Sequence, residues 1–115
     1  SGQIPMGASG LEYIGKLGEN TSVEDGQAAA KLCALNILAQ AKSALGELEN
    51  IKQLVKLVGF VNSAPDFVDQ PKVINGASDF MVEVMGDKGR QARSAIGVAA
   101  LPFGVAVEIE AIFEI

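Results

Sequence analysis

The chain of 115 residues contains no tryptophan and no histidine, and only one cysteine, Cys33. Without histidine, Ser-His-Asp triads and Cys-His nucleophile pairs are excluded, and with one cysteine so are the usual zinc sites. A lone cysteine closes no internal disulfide, which makes a reducing, cytoplasmic setting the expectation. No stretch approaches the roughly 18 consecutive apolar residues of a membrane-spanning helix. No signal peptide is visible either, in a chain that begins without Met. Basic residues are scarce: nine stand against fourteen acids, for a net charge of −5. Phosphate binding needs clustered Lys and Arg, and here they are scattered, so neither nucleic acid nor membrane is an expected partner. Gly2, Gly7, Gly10, Gly15 and Gly18 have neither the GK[ST] nor the GxGxxG spacing. They predict a loop or hairpin around residues 11–14 rather than a phosphate cradle. Chemistry is left to carboxylates, Arg, Lys, hydroxyls and backbone amides.

What is abundant is apolar: 49% of residues, with 20% charged. The length suits one domain over residues 1–115, and the apolar surplus is high for a monomer of this size, which points to surface buried between subunits. The end of the chain is the most patterned part. Val105, Val107, Ile109, Ala111, Phe113 and Ile115 alternate with Ala106, Glu108, Glu110, Ile112 and Glu114. That is a strand with one apolar and one polar face. Residues 93–100 form another β-compatible run, and Leu101, Pro102, Phe103 and Gly104 between them read as a turn. The chain is therefore expected to end in a β-hairpin.

Upstream, Thr21 and Ser22 followed by Glu24 and Asp25 mark a helix start, and the helix runs to Gly46. Ala28, Leu32, Leu35, Ile37, Leu38, Ala41 and Leu45 are its expected apolar side. Cys33 within it reads as a packed small hydrophobe. Residues 52–62 are apolar on both faces, as in a central strand, with Lys56 the exception, a lysine reaching toward solvent. A second helix is predicted over residues 71–85, with Pro71 in its first turn, Gly86 at its end, and Val73, Ile74, Ala77, Phe80, Met81 and Val84 inward. The order predicts an α+β fold, a mixed sheet with both helices packed on one face.

The run QARSAIGVAALPFGVAVEIEAI near the C-terminus, together with SGQIP at Ser1, resembles the RidA (YjgF) family of reactive intermediate deaminases. The two motifs stand in the family's order, about ninety residues apart. The resemblance implies the chorismate-mutase-like fold, a homotrimer with pockets between subunits, and hydrolysis of 2-aminoacrylate-type enamines and imines to 2-oxo acids and ammonia. It makes Arg93 the anchor for a substrate carboxylate and Glu108 the group that positions water. The backbone at Gly2 and Ala95 lines the pocket, and Asn75 matches a family position near the start of the second helix. No cofactor or metal is implied. Many members carry Cys where this chain has Ala95, so a thiol nucleophile is ruled out here and the substrate range is open. Family members also have one hairpin strand and most of another before SGQIP, so the N-terminal hairpin is expected to be incomplete.

Taken as residues alone, Arg93 is an ordinary strand-end arginine in water and Glu108 one of three acids on a polar strand face. Functionally, a guanidinium fork suits a carboxylate, and a glutamate suits proton transfer at a C=N bond. With a turn centred between Pro102 and Phe103, Glu108 falls opposite Gly97 and lies about 13 Å from Arg93. Within one chain that is too far for a shared small-molecule site, so a neighbouring subunit has to bring its copy across. Two other readings stay open: a non-catalytic binder of 2-oxo or amino acids, and a ribonuclease or translation inhibitor, which the acidic charge and missing histidine disfavour.

Overall fold

The computed structural model describes residues 2–115; Ser1, the first residue of the SGQIP motif, lies outside them. In chain order the elements are β1 (Met6–Gly7), β2 (Gly10–Leu11), α1 (Val23–Leu45), β3 (Gln53–Asn62), α2 (Gln70–Met85), β4 (Ala92–Val98) and β5 (Val107–Glu114). β1 and β2 form a small antiparallel hairpin, with Met6 opposite Leu11, a few residues before the predicted place. Among the described residues the main sheet has the order β4-β3-β5, and both long helices pack on one face of it.

Local chemistry places the helices as the sequence implies. Ser22 caps α1, its hydroxyl accepting from the Asp25 N–H at 3.1 Å, and Glu24 and Asp25 complement the positive end of the helix. Gly46, at φ 85°, closes it by donating to the Lys42 carbonyl. Pro71 occupies the first turn of α2, where its missing N–H is not needed.

The buried face of α1 matches the predicted one only at Ile37 and Leu38. Ala29, Ala30, Cys33, Ala34, Ile37 and Leu38 are buried, whereas Leu35 is 52% exposed and Ala28, Leu32, Ala41 and Leu45 are half-buried. The small side chains win because they let α1 lie close to both β5 and α2. Leu32 and Leu35 turn outward instead, into a groove with Tyr13 and Phe80. Phe80 and Val84 of α2 likewise fall outside the fully buried set, which is Val73, Ile74, Ala77, Ser78 and Met81. Close approach recurs at Gly59 of β3, where an added Cβ would collide with Ile74.

The C-terminal hairpin is overturned. β4 pairs parallel to β3, and β5 pairs antiparallel to β3 on its other side, so β4 and β5 never touch as a ladder. Glu108 stands opposite Phe60, not Gly97, which stands opposite Val61. The reason is that β3, apolar on both faces, sits at the centre, and two flanking strands satisfy both of its edges where a β4–β5 hairpin would leave one bare. The connection from β4 crosses the end of β3 instead of doubling back. Asn62, 5% exposed, ties it down: its Nδ2 donates to the Gly15 and Val105 carbonyls at 3.1 Å each, and its Oδ1 accepts from the Lys16 ammonium at 2.7 Å. Pro102–Gly104 forms a 3-10 turn with Phe103 at φ 59°, not a two-residue hairpin turn.

Candidate functional site

Register sorts the sheet into rows. Facing the helices are Arg93–Leu57–Ala111, Ala95–Gly59–Ile109 and Gly97–Val61–Val107. On the opposite face are Ala92–Lys56–Ile112, Ser94–Val58–Glu110 and Ile96–Phe60–Glu108. Lys56, taken from the sequence to reach solvent, is half-buried in the first row of that face. Arg93 and Glu108 therefore lie on opposite faces of the sheet, two strands and three residues apart, roughly 14 Å at ordinary strand spacings. One chain does not bring them together.

Arg93 leaves the outer strand β4 toward α2. Its Nη1 donates to Asn75 Oδ1 at 2.6 Å and to Ser78 Oγ at 3.1 Å. Asn75 and Ser78 are three residues apart on α2, so they share one side of the helix. Both partners are neutral, and among the described residues Arg93 makes no ion pair; Arg90 pairs with Asp87 at 3.2 Å. The guanidinium lines a cavity of about 360 Å³ shared with Asn75, Ser78, Asp79, Val82, Arg90 and Gln91. Ser78, 8% exposed, has no place in the sequence reading. Its signal was there: a serine three residues after Asn75 on the buried side of an amphipathic helix.

Ala95, two residues along β4, points to the same side and packs against the core. Its backbone is held in the ladder opposite Gly59.

Glu108 is half-buried on β5, between the fully buried Val107 and Ile109. The N-terminal arm runs beside it. Gln3 N–H donates to the Ile109 carbonyl at 2.7 Å, and the Gln3 carbonyl accepts from the Ile109 N–H at 3.0 Å. Asn36 of α1 holds the arm through the Ile4 and Met6 carbonyls. Gly2 is thereby set against the Glu108 side chain, so closely that any Cβ there would collide with the carboxylate. Of the residues predicted for the site, Gly2 and Glu108 form one group and Arg93, Asn75 and Ala95 the other.

Cys33 belongs to neither. Burial, with a smaller contribution from the Glu108 carboxylate, pushes its thiol up to about 12, and its Sγ lies 3.8 Å from the Val107 carbonyl. It is a core residue, as its helical position implied. Among the described residues no three His, Cys, Asp or Glu side chains gather as a metal site, and no helix is long and apolar enough to cross a membrane.

Known proteins share this fold. The chain is 50% identical to Protein TCP17 of Trypanosoma cruzi over 116 residues, which cover all of this chain and 72% of that protein. The crystal structure of the protein Atu1372, of unknown function, from Agrobacterium tumefaciens superposes with a TM-score of 0.98 at 52% identity, over all of this chain and 74% of that one. RidA from the Antarctic bacterium Psychrobacter sp. PAMC 21119 superposes with a TM-score of 0.65 at 30% identity, over all of this chain and 77% of that one. The profile of the family described as "YjgF/chorismate_mutase-like, putative endoribonuclease" matches residues 1–112, and the chain belongs to that family.

Proposed function

We propose that the protein hydrolyses 2-enamine and 2-imine acids of the 2-aminoacrylate type to 2-oxo acids and ammonia, in pockets between the subunits of a homotrimer. The observation that carries this reading is the Arg93 guanidinium, which makes no ion pair among the described residues and is gripped by two neutral acceptors at the wall of a cavity. A cation held in place without a counter-ion suits a carboxylate ligand. An enamine first becomes the imine as a proton moves from its nitrogen to its methylene carbon; Glu108 of a neighbouring copy then takes the proton of a water as it adds to the C=N carbon and returns it to nitrogen. The resulting carbinolamine expels ammonia and leaves the C=O of the 2-oxo acid. Gly2 and the Ala95 backbone line the pocket, and Asn75, whose Nδ2 is not used in its contact with Arg93, remains a donor to substrate. Ala95 replaces a family cysteine, which this route does not need because the nucleophile is water.

Support for self-association comes from the sheet face away from the helices. Beside Lys56, Glu108 and Glu110 it carries Val58 and Phe60, with Ile96 46% and Ile112 59% exposed, apolar groups that a second copy would cover. The carboxylate-specific site also fits the acidic chain better than a general ribonuclease does.

The test is 2-oxo acid release from freshly generated imines, with an amino-acid oxidase or dehydratase as the source. Wild type is expected to accelerate release and Arg93→Ala to abolish the acceleration while remaining folded. Full turnover in folded Arg93→Ala rules out the assignment. Saturable binding of a 2-oxo acid with no turnover replaces the enzyme by a metabolite-binding protein.

A further inference from the structure

We infer that Ser78, together with Asn75, is a positioning residue that restricts Arg93 to one mode of carboxylate binding. The inference rests on the reading of Arg93 as a carboxylate anchor. A guanidinium offers a carboxylate two bidentate edges: an end-on edge formed by Nη1 and Nη2, and a side-on edge formed by Nε and Nη2. Nη1 carries two hydrogens, and two acceptors engage it, Asn75 Oδ1 at 2.6 Å and Ser78 Oγ at 3.1 Å. The end-on edge has lost its Nη1 donor. Only the side-on edge keeps both of its donors, so the ligand carboxylate seats on Nε and Nη2.

The two acceptors are not equivalent. Asn75 is half-buried, and its amide can swing. Ser78 is 8% exposed on α2, in a row with Val73, Ile74, Ala77 and Met81 that packs into the core. Its hydroxyl is a fixed point, and two acceptors on one rigid helix define the guanidinium plane where one would let it rotate. A serine here would otherwise be a poor choice for a buried helix position, since alanine has the better helix propensity and leaves no polar atom to satisfy. The arginine supplies the reason for the hydroxyl.

Removing Oγ frees one Nη1 hydrogen, reopens the end-on edge and lets the fork turn. The chemical step at the C=N carbon is untouched once substrate is seated. Ser78→Ala is therefore expected to raise KM for the imine and Kd for pyruvate, used as the probe, by about tenfold, with kcat within about twofold. Ser78→Thr, which restores an oxygen at the same place, is expected to recover most of the loss. In wild-type protein, nitrogen-15 spectra should show the Arg93 Nη1 hydrogens as separate, slowly rotating signals, and Ser78→Ala should average them. That spectrum on wild type requires no variant to fold. If Arg93→Ala abolishes turnover and pyruvate binding while Ser78→Ala leaves KM, Kd and the guanidinium signals unchanged, the positioning role is wrong and the anchor stands. If Arg93→Ala changes neither turnover nor pyruvate binding, the anchor is wrong and the positioning role goes with it.

Discussion

Gly76 sits in α2 between Asn75 and Ser78, and its replacement by alanine tests how tightly the two helices are locked. Helix propensity alone favours the change by about 1 kcal/mol. The structure opposes it. A Cβ at Gly76 would stand against the carbonyl oxygen of Gln27 on α1, 2.8 Å from its carbon and 2.9 Å from its Cα. The obstacle is backbone and has no rotamer to change, so α1 and α2 have to separate by about an ångström to reach ordinary contact. Such overpacking costs about 1–3 kcal/mol, and here the upper part of that range applies. The net expectation is a loss of about 1–2 kcal/mol, or a Tm lower by roughly 4–8 °C for a chain of this length. Gly26 in α1 is the control. A Cβ there meets Leu17 Cδ1 and Val73 Cγ1, each at 3.1 Å, side-chain ends that can shift. Gly26→Ala should stay within about 1 kcal/mol of wild type, since the propensity gain offsets most of the crowding. Thermal and urea unfolding followed by circular dichroism, at one protein concentration, decides the matter. A Gly76→Ala protein as stable as wild type, or more so, refutes the close-packed interface.

Three further outcomes are expected. Asn62→Ala leaves the Gly15 and Val105 carbonyls without this partner at the crossing of β3 and the Lys16 ammonium with only the Ala99 carbonyl, and should cost about 2–4 kcal/mol in urea unfolding. The raised thiol pKa of Cys33, from 9.0 to about 12, means that the folded state keeps a proton the unfolded state has lost. The stability associated with it is complete below pH 9 and declines as pH rises toward 12, by at most about 1.4 kcal/mol per unit, and this slope should be missing when Cys33→Ala is compared with wild type. Gly2→Ala pushes the Glu108 carboxylate aside without touching Arg93, so kcat for imine hydrolysis should fall about tenfold or more while pyruvate affinity stays within about twofold.

Helices, their caps and the central strand were legible because each is written in local chemistry. Ser22, Gly46 and Pro71 act on the backbone within a turn of themselves, and β3 shows its central place through apolar residues on both faces. Two things were not local. The face of α1 was misjudged because side-chain size, read alone, favours Leu32 and Leu35, whereas packing between two neighbours favours Ala29, Ala30, Cys33 and Ala34. The partner of β5 was misjudged because the turn residues at Pro102–Gly104 signal a change of direction and say nothing about which strand lies beside the chain afterwards. That choice is made by β3, which has two edges to fill and whose residues lie far upstream of their β5 partners, as Gly59 does of Ile109. The site divides in the same way. Arg93 and Glu108 stood out as residues, but Ser78 gains meaning only when α2 is laid beside β4.

The hairpin and the true topology agree on one point for different reasons. A hairpin puts Arg93 and Glu108 about 13 Å apart along a ladder, already too far for one small ligand. In the sheet they are on opposite faces, with β3 between their strands, and no side-chain movement within one chain brings them to a common ligand. The proposed pocket therefore has a strict requirement: each site takes its arginine from one copy and its glutamate from another. Arg93→Ala and Glu108→Gln should each be inactive as pure proteins. Mixed in equal amounts, unfolded and refolded together, random assembly gives a site an intact arginine half the time and an intact glutamate half the time. About a quarter of the sites are then complete, and about a quarter of wild-type turnover should return. Pure variants refolded alone supply the baseline. No recovery above that baseline in a mixture shown to contain hybrid assemblies would mean that the two residues do not act on one substrate from two subunits, and the inter-subunit pocket would have to be abandoned.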